Sequence, residues 1–218
     1  AQMPAAGEKN RRRGMADYLF LGDSITDADH LFEPTGLGTG FVSLIAQDPR
    51  MKGQRVRNMG HDGFTLERIH RMLLQDGVPA ADVITILAGV NDIPVEVYTQ
   101  RNRIPDEFSF FCREIFSLLS DKSGTRLVVM EPFLFDCPAE YRNWHPYVEE
   151  ESRILRQTAE QFGALFIPTD RLLRCRAREE GVSEITVDGI HLTDRGNRIL
   201  AQLWLQKVAP AGAHFKKE

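Results

Sequence analysis

"YLFLGDSITD", residues 18–27, decides how the rest of the chain is read. An apolar run climbs to Gly22, and the chain then breaks into Asp23, Ser24, Thr26 and Asp27. A short continuous apolar run reads as a strand covered on both faces, as in a parallel sheet between layers of helix. Small polar residues directly after it have two readings. They cap a following helix, or they present a nucleophile at the mouth of the sheet. This stretch alone leaves both open.

Four further runs read the same way: "VRNMG" (56–60), "VITILAG" (83–89), "RLVVME" (126–131) and "ALFIP" (164–168). Helix-period segments alternate with them, namely "GFVSLIAQ" (40–47), "FTLERIHRMLLQ" (64–75), "FSFFCREIFSLLS" (108–120), "PYVEEESRILRQTAEQFG" (146–163) and "TDRGNRILAQLWLQKV" (193–208). In the second of these, Leu66, Ile69, Leu73 and Leu74 are expected on one buried side. In the fourth, Pro146 suits a first turn, the Glu149–Glu151 run suits the early-helix dipole, and Gly163 ends the helix. Strand alternating with helix predicts right-handed crossovers and a three-layer α/β/α sandwich. The expected sheet is five-stranded and parallel, in the flavodoxin-like order 2-1-3-4-5. Residues 15–218 form one domain on this reading, after a disordered tail over 1–14 that contains "KNRRR" (9–13). The longest irregular piece is 132–145, a length at which loops are usually functional or mobile.

Bulk composition narrows the class. Over 218 residues, 42% hydrophobic and 27% charged residues suit a globular protein with a sizeable core. The formal charge of −4 and the scattered Lys and Arg argue against nucleic acid as partner. No window reaches the length of a membrane span, and no apolar stretch follows the N-terminal charges as in a signal peptide. Cys112, Cys137 and Cys175 lack metal-site or paired spacing and fit a reducing compartment. The expected location is the cytoplasm, with a secreted mature form left open, as is a homo-oligomer.

In the expected strand order, strands one, two and three are neighbours, and their exits carry "GDSIT", "NMGHDG" and "AGVNDI". That brings Ser24, Gly60 and Asn91 together. "VDGIHLTDRGN" adds Asp188 and His191, three residues apart, before the last helix, with Thr193 or Asp194 as its cap and early acid. These residue types can perform acyl transfer. A serine hydroxyl needs an imidazole to take its proton, and the imidazole needs a carboxylate to fix its tautomer. The backbone N–H groups of Ser24 and Gly60 and the amide of Asn91 would serve a developing oxyanion. Each such donor is typically worth about 3–4 kcal/mol of barrier.

"GDSITD", Gly60 in "NMG", "GVND" and "DGIH" together resemble the four sequence blocks of the SGNH hydrolases, the GDSL lipase/acylhydrolase family. They follow the family order and span nearly the whole chain. The resemblance implies Ser24 as nucleophile, Gly60 and Asn91 as oxyanion donors, His191 as general base and Asp188 as its partner. It also implies the sandwich fold and a serine esterase that needs no cofactor or metal. "GDSITD" followed by "GLGTGFV" is similar to bacterial members that remove acetyl groups from carbohydrate, so the expected partner is a small-molecule or saccharide ester. Thr26 stands where the GxSxG elbow of α/β-hydrolases has its second glycine.

Other residues carry weaker signals. Asp23, His61 and Trp144 are candidate substrate contacts, although a helix-capping role is the stronger reading for Asp23. Phe133, Phe135, Tyr141, Trp144 and Tyr147 offer aromatic faces to a sugar, a packing cluster or a subunit contact in equal measure. Asp27, Asp29 and His30 read as a solvated loop rather than a metal cluster. His30, His70, His145 and His214 show no metal-ligand spacing. A lysophospholipase or thioesterase is the alternative within the same chemistry. A catalytically silent sugar-binding module and a phosphatase built on "DADH" are the alternatives outside it.

Overall fold

The computed structural model describes residues 15–120 and 124–209; the tail over 1–14, "KNRRR" and His214 lie outside the described residues. Five parallel strands, β1 (Asp17–Gly22), β2 (Arg55–Gly60), β3 (Val83–Leu87), β4 (Arg126–Met130) and β5 (Leu165–Ile167), pair in the order β2-β1-β3-β4-β5. The expected topology is found, and each strand lies within two residues of its reading. Gly22 pairs with Gly60 on one side and with Leu87 on the other, so three strand exits lie level.

The residues of β1 alternate between two cores, as strand geometry requires. Tyr18 and Phe20 join the layer of α2 (Phe41–Gln47), α7 (Thr169–Glu180), α8 (Val182–Ile185) and α9 (Asp194–Val208). Leu19 and Leu21 join the layer of α3 (Leu66–Asp76), α5 (Ser109–Ser120) and α6 (His145–Gln161). Trp204 of α9 is fully buried against Tyr18 and Phe20, and its indole N–H donates to the Thr85 hydroxyl at 2.9 Å. α1 (Ser24–Asp27) starts directly beyond β1, and α4 (Asp92–Thr99) follows β3 after a short turn over 88–91.

Three details depart from expectation. On α3, Leu74 is 60% exposed and Met72 takes its place in the core. Glu151 does not serve the N-terminal dipole of α6; one turn further in, it is fully buried, with neither carboxyl oxygen hydrogen-bonded. The 132–145 segment is no loose loop. A 3₁₀ turn covers Ala139–Trp144, and Phe133, Phe135 and Trp144 are buried. These three aromatic side chains therefore pack rather than face substrate, whereas Tyr141 is only half-buried.

Candidate active site

Ser24 begins α1 immediately beyond β1, because Asp23 stops the strand and caps the helix. The Asp23 carboxylate accepts the Ile25 N–H at 3.0 Å, and the Asp23 N–H reaches the Leu87 carbonyl at 3.4 Å. A side chain at Gly22 would lie 2.3 Å from that same carbonyl, so the turn needs glycine. Asp23 is 1% exposed and is a cap, not a substrate contact. Burial pushes its carboxyl up to about 7 against the Ile25 amide and the nearby His191.

His191 arrives from the far end of the chain. Its Nε2 lies 3.0 Å from Ser24 Oγ, and its Nδ1 lies 2.7 Å from Asp188 Oδ2. The other Asp188 oxygen accepts the N–H groups of Ile190 at 3.0 Å and His191 at 2.7 Å. Burial raises the Asp188 carboxyl, but the bonds from the His191 ring and these amides outweigh it and hold the group below its ordinary value. Both side chains are about half exposed, 49% each, so a solute can reach them. Thr186 fixes the loop: its hydroxyl donates to the His191 carbonyl at 2.7 Å and accepts the Gly189 N–H at 2.9 Å. The 132–145 segment backs it, with the Phe135 N–H on the Gly189 carbonyl at 2.9 Å. Thr193 caps α9 by accepting the Gly196 N–H.

The oxyanion side differs from expectation at Gly60. Its N–H donates to Asn58 Oδ1 at 2.9 Å in a buried bond, so that amide is already engaged. Glycine stands there for another reason: a Cβ would lie 2.2 Å from the Asp27 nitrogen. Along the same turn, the His61 N–H goes to the Gly22 carbonyl, the Asp62 N–H to Asp27 Oδ2 and the Phe64 N–H to the His61 carbonyl. Among the described residues the Gly63 N–H has no acceptor, and neither has that of Ser24. Asn91 donates one amide hydrogen to the Phe64 carbonyl at 3.1 Å, which orients the group and leaves its second hydrogen unassigned.

Two other expected contacts fall elsewhere. The His61 ring stacks on Phe64 at 4.5 Å and lines a separate cleft with Arg68 and Arg71. Trp144 is 7% exposed, stacks on Tyr141 and packs with Val90, Ile93 and Leu134, so it is a core residue. Asp27 and His30 pair with each other at 2.6 Å. Among the described residues, no three His, Cys, Asp or Glu side chains are placed to hold a metal ion, and no helix is long and apolar enough to cross a membrane.

A hydroxyl, an imidazole and a carboxylate in series, at the carboxyl edge of a parallel sheet and beside uncommitted N–H groups, are the parts of a carboxylic ester hydrolase. A profile of the GDSL-like lipase/acylhydrolase family matches residues 20–199, and the chain belongs to that family. No curated protein matches the sequence significantly. Among solved structures, a protein described as a GDSL-like lipase from Parabacteroides merdae superposes with TM-score 0.78 at 22% identity, over 88% of this chain and 94% of that one. Axe2, an acetylxylan esterase from Geobacillus stearothermophilus, gives 0.72 at 23%, over 88% and 93%. LAE5, an alpha/beta hydrolase enzyme from the metagenome of Lake Arreo, gives 0.75 at 20%, over 88% and 94%. Variants of Axe2 described as catalytic mutants replace a serine, an aspartate and a histidine, the last two three positions apart.

Proposed function

We propose that this chain is a serine esterase that removes small acyl groups, acetyl above all, from hydroxylated substrates such as carbohydrate. The observation that carries the reading is the continuous bond path from Ser24 Oγ through His191 to Asp188, at 3.0 and 2.7 Å. The Ser24 hydroxyl attacks the ester carbonyl while His191 Nε2 takes its proton. Asp188 holds the ring with Nδ1–H toward it and balances the charge that forms. The oxyanion is met by the N–H of Ser24, the uncommitted N–H of Gly63 and the second amide hydrogen of Asn91, with Gly63 replacing Gly60 in that role. His191 then gives its proton to the leaving alcohol oxygen, which leaves an acetyl ester on Ser24. A water molecule, deprotonated by the same imidazole, releases acetate and restores the hydroxyl.

The acetylxylan esterase among the structural neighbours, whose catalytic mutants touch the same three residue types, supports both roles and acyl group. Ser24→Ala should lower 4-nitrophenyl acetate turnover by roughly three orders of magnitude or more while the fold, read by circular dichroism, is kept. Wild-type turnover in that variant would refute the assignment. Comparing acetyl with butyryl and longer esters measures the acyl preference, where a rise with chain length would favour the lysophospholipase or thioesterase reading.

A further inference from the structure

The cleft that Ser24 and His191 share measures about 480 Å³, far more than an acetyl group needs. His191 must protonate the leaving oxygen, so the alcohol half of the ester lies on the His191 side of Ser24, where this cleft opens. Its charged side chains are of one sign. Asp27, Asp29 and Asp62 line it, and neither Lys nor Arg does. Asp27 is held by the His30 ring and the Asp62 N–H. Asp29 and Asp62 are exposed, and neither carboxylate has an ion pair among the described residues. On the rim, Leu31 and Phe32 are 74% and 88% exposed. The segment carrying them is fixed at its base: the Thr39 N–H bonds the Ala28 carbonyl at 2.9 Å, and Asn58 Nδ2 bonds the Leu37 carbonyl at 2.9 Å.

We infer that this cleft selects the alcohol half of the ester by charge, admitting neutral or cationic hydroxyl-bearing alcohols, with Phe32 as the face for a sugar ring, and discriminating against alcohols that carry phosphate or carboxylate. Ionised carboxylates only accept hydrogen bonds, which suits hydroxyl donors and repels anions. The apolar C–H face of a pyranose gains contact area on an exposed aromatic ring. In a lysophospholipid the phosphate sits on the glycerol only a few bonds from the ester, so such an alcohol half would carry its negative charge into this acidic cleft. The inference rests on the esterase reading and refines its substrate class.

The test uses phenyl acetates with para hydroxymethyl, trimethylammoniomethyl or phosphonomethyl groups, which share an acyl group and differ in charge. At low ionic strength, kcat/KM for the phosphonomethyl ester should be at least about fivefold below the hydroxymethyl ester, and added salt should close the gap. The Asp29→Asn/Asp62→Asn double variant should close it without salt; asparagine keeps the shape and tolerates the positive φ of 61° at position 29. Phe32→Ala should cut the ratio of kcat/KM for an acetylated xylo-oligosaccharide over the hydroxymethyl ester by roughly three- to tenfold. Equal rates for all three charges, or a gap that persists in the double variant, overturns the inference and leaves the esterase reading standing. Failure to hydrolyse any of these esters overturns both.

Discussion

Asn58 shapes the ground around Ser24 more than any residue that would touch substrate. It is 7% exposed, and its Nδ2 donates to the carbonyls of Thr26 at 2.6 Å and Leu37 at 2.9 Å. Its Oδ1 takes the Gly60 N–H, so one side chain ties the nucleophile helix, the cleft rim and the end of β2 together. Asn58→Asp keeps the shape and removes both donor hydrogens, setting a carboxylate against buried carbonyls. It should cost roughly 2–4 kcal/mol, read as a lower urea midpoint with an unchanged slope. An unchanged midpoint would mean that the Asn58 donors do not matter. The position was legible in part. Asparagine bonding the amide two residues ahead is a familiar turn habit, and "NMG" carries it. Followed through, that habit engages the Gly60 amide and moves attention to Gly63. The burial of Trp144 had no such signal, since an aromatic residue in a long polar loop reads alike on a rim or in a core.

At the scale of elements, the unexpected feature is acid turned inward. α4 brings Asp92 and Glu96, α6 brings Glu151, and the turn after β1 brings Asp23. Burial pushes the Asp92 carboxyl up to about 8, opposed by the Leu66 amide and reinforced by Asp23. Burial also raises Glu151 well above the carboxylate range, and Asp92, Glu96 and Asp23 add to it. A carboxyl whose folded pKa lies above its unfolded one binds its proton more tightly when folded. Its stabilisation is complete below the unfolded value near 4 and is lost as pH rises toward the folded value. Folding stability should therefore fall between about pH 4 and pH 8, each such group contributing a slope of up to about 1.4 kcal/mol per pH unit. Asp188, held low, acts oppositely and weakens the fold only as pH drops through its folded value. Asp92→Asn keeps an acceptor for the Leu66 N–H, at 3.2 Å in the parent, and removes the proton. Urea unfolding of this variant from pH 4 to pH 9 should show a shallower decline than the parent; equal slopes would place the raised pKa elsewhere. The helix carrying Asp92 was hidden in the sequence, because Ile93-Pro94 reads as a turn. Proline is tolerated in a first helical turn, and there it stands. α7 escaped for another reason: in "TDRLLRCRAREE" charge outnumbers apolar residues, and of its side chains only Thr169, Leu173 and Ala177 are buried.

At the scale of the whole molecule, the chain separates what holds it together from what it does. Most strands were legible because a strand buried on both faces is apolar throughout; their order rests on the common flavodoxin-like arrangement, and the site followed because level strand exits bring distant residues together. Beyond the local Asn58–Gly60 bond, the bonds that decide which amides remain available were not legible, since tertiary contacts such as that of the Asp62 N–H with Asp27 set them. The site sits at the carboxyl ends of the strands, whereas Trp204 packs against Tyr18 and Phe20 and bonds Thr85 within the sheet. Trp204→Phe removes buried ring volume and strands the Thr85 hydroxyl, which is 1% exposed. The expected loss is roughly 2–4 kcal/mol, from a cavity term and an unmet donor or acceptor. Since the ring contacts and hydrogen bond of Trp204 go to Tyr18, Phe20 and Thr85 and to no group of the candidate site, kcat/KM per folded molecule should stay within about twofold of the parent at a temperature where both are folded. The measurement pairs a thermal melt with active-site titration by a fluorophosphonate. Stability lost with activity kept fits a scaffold that merely carries its site; activity falling in step with Tm, among molecules still folded, would mean that the core beneath β1 sets the position of Ser24.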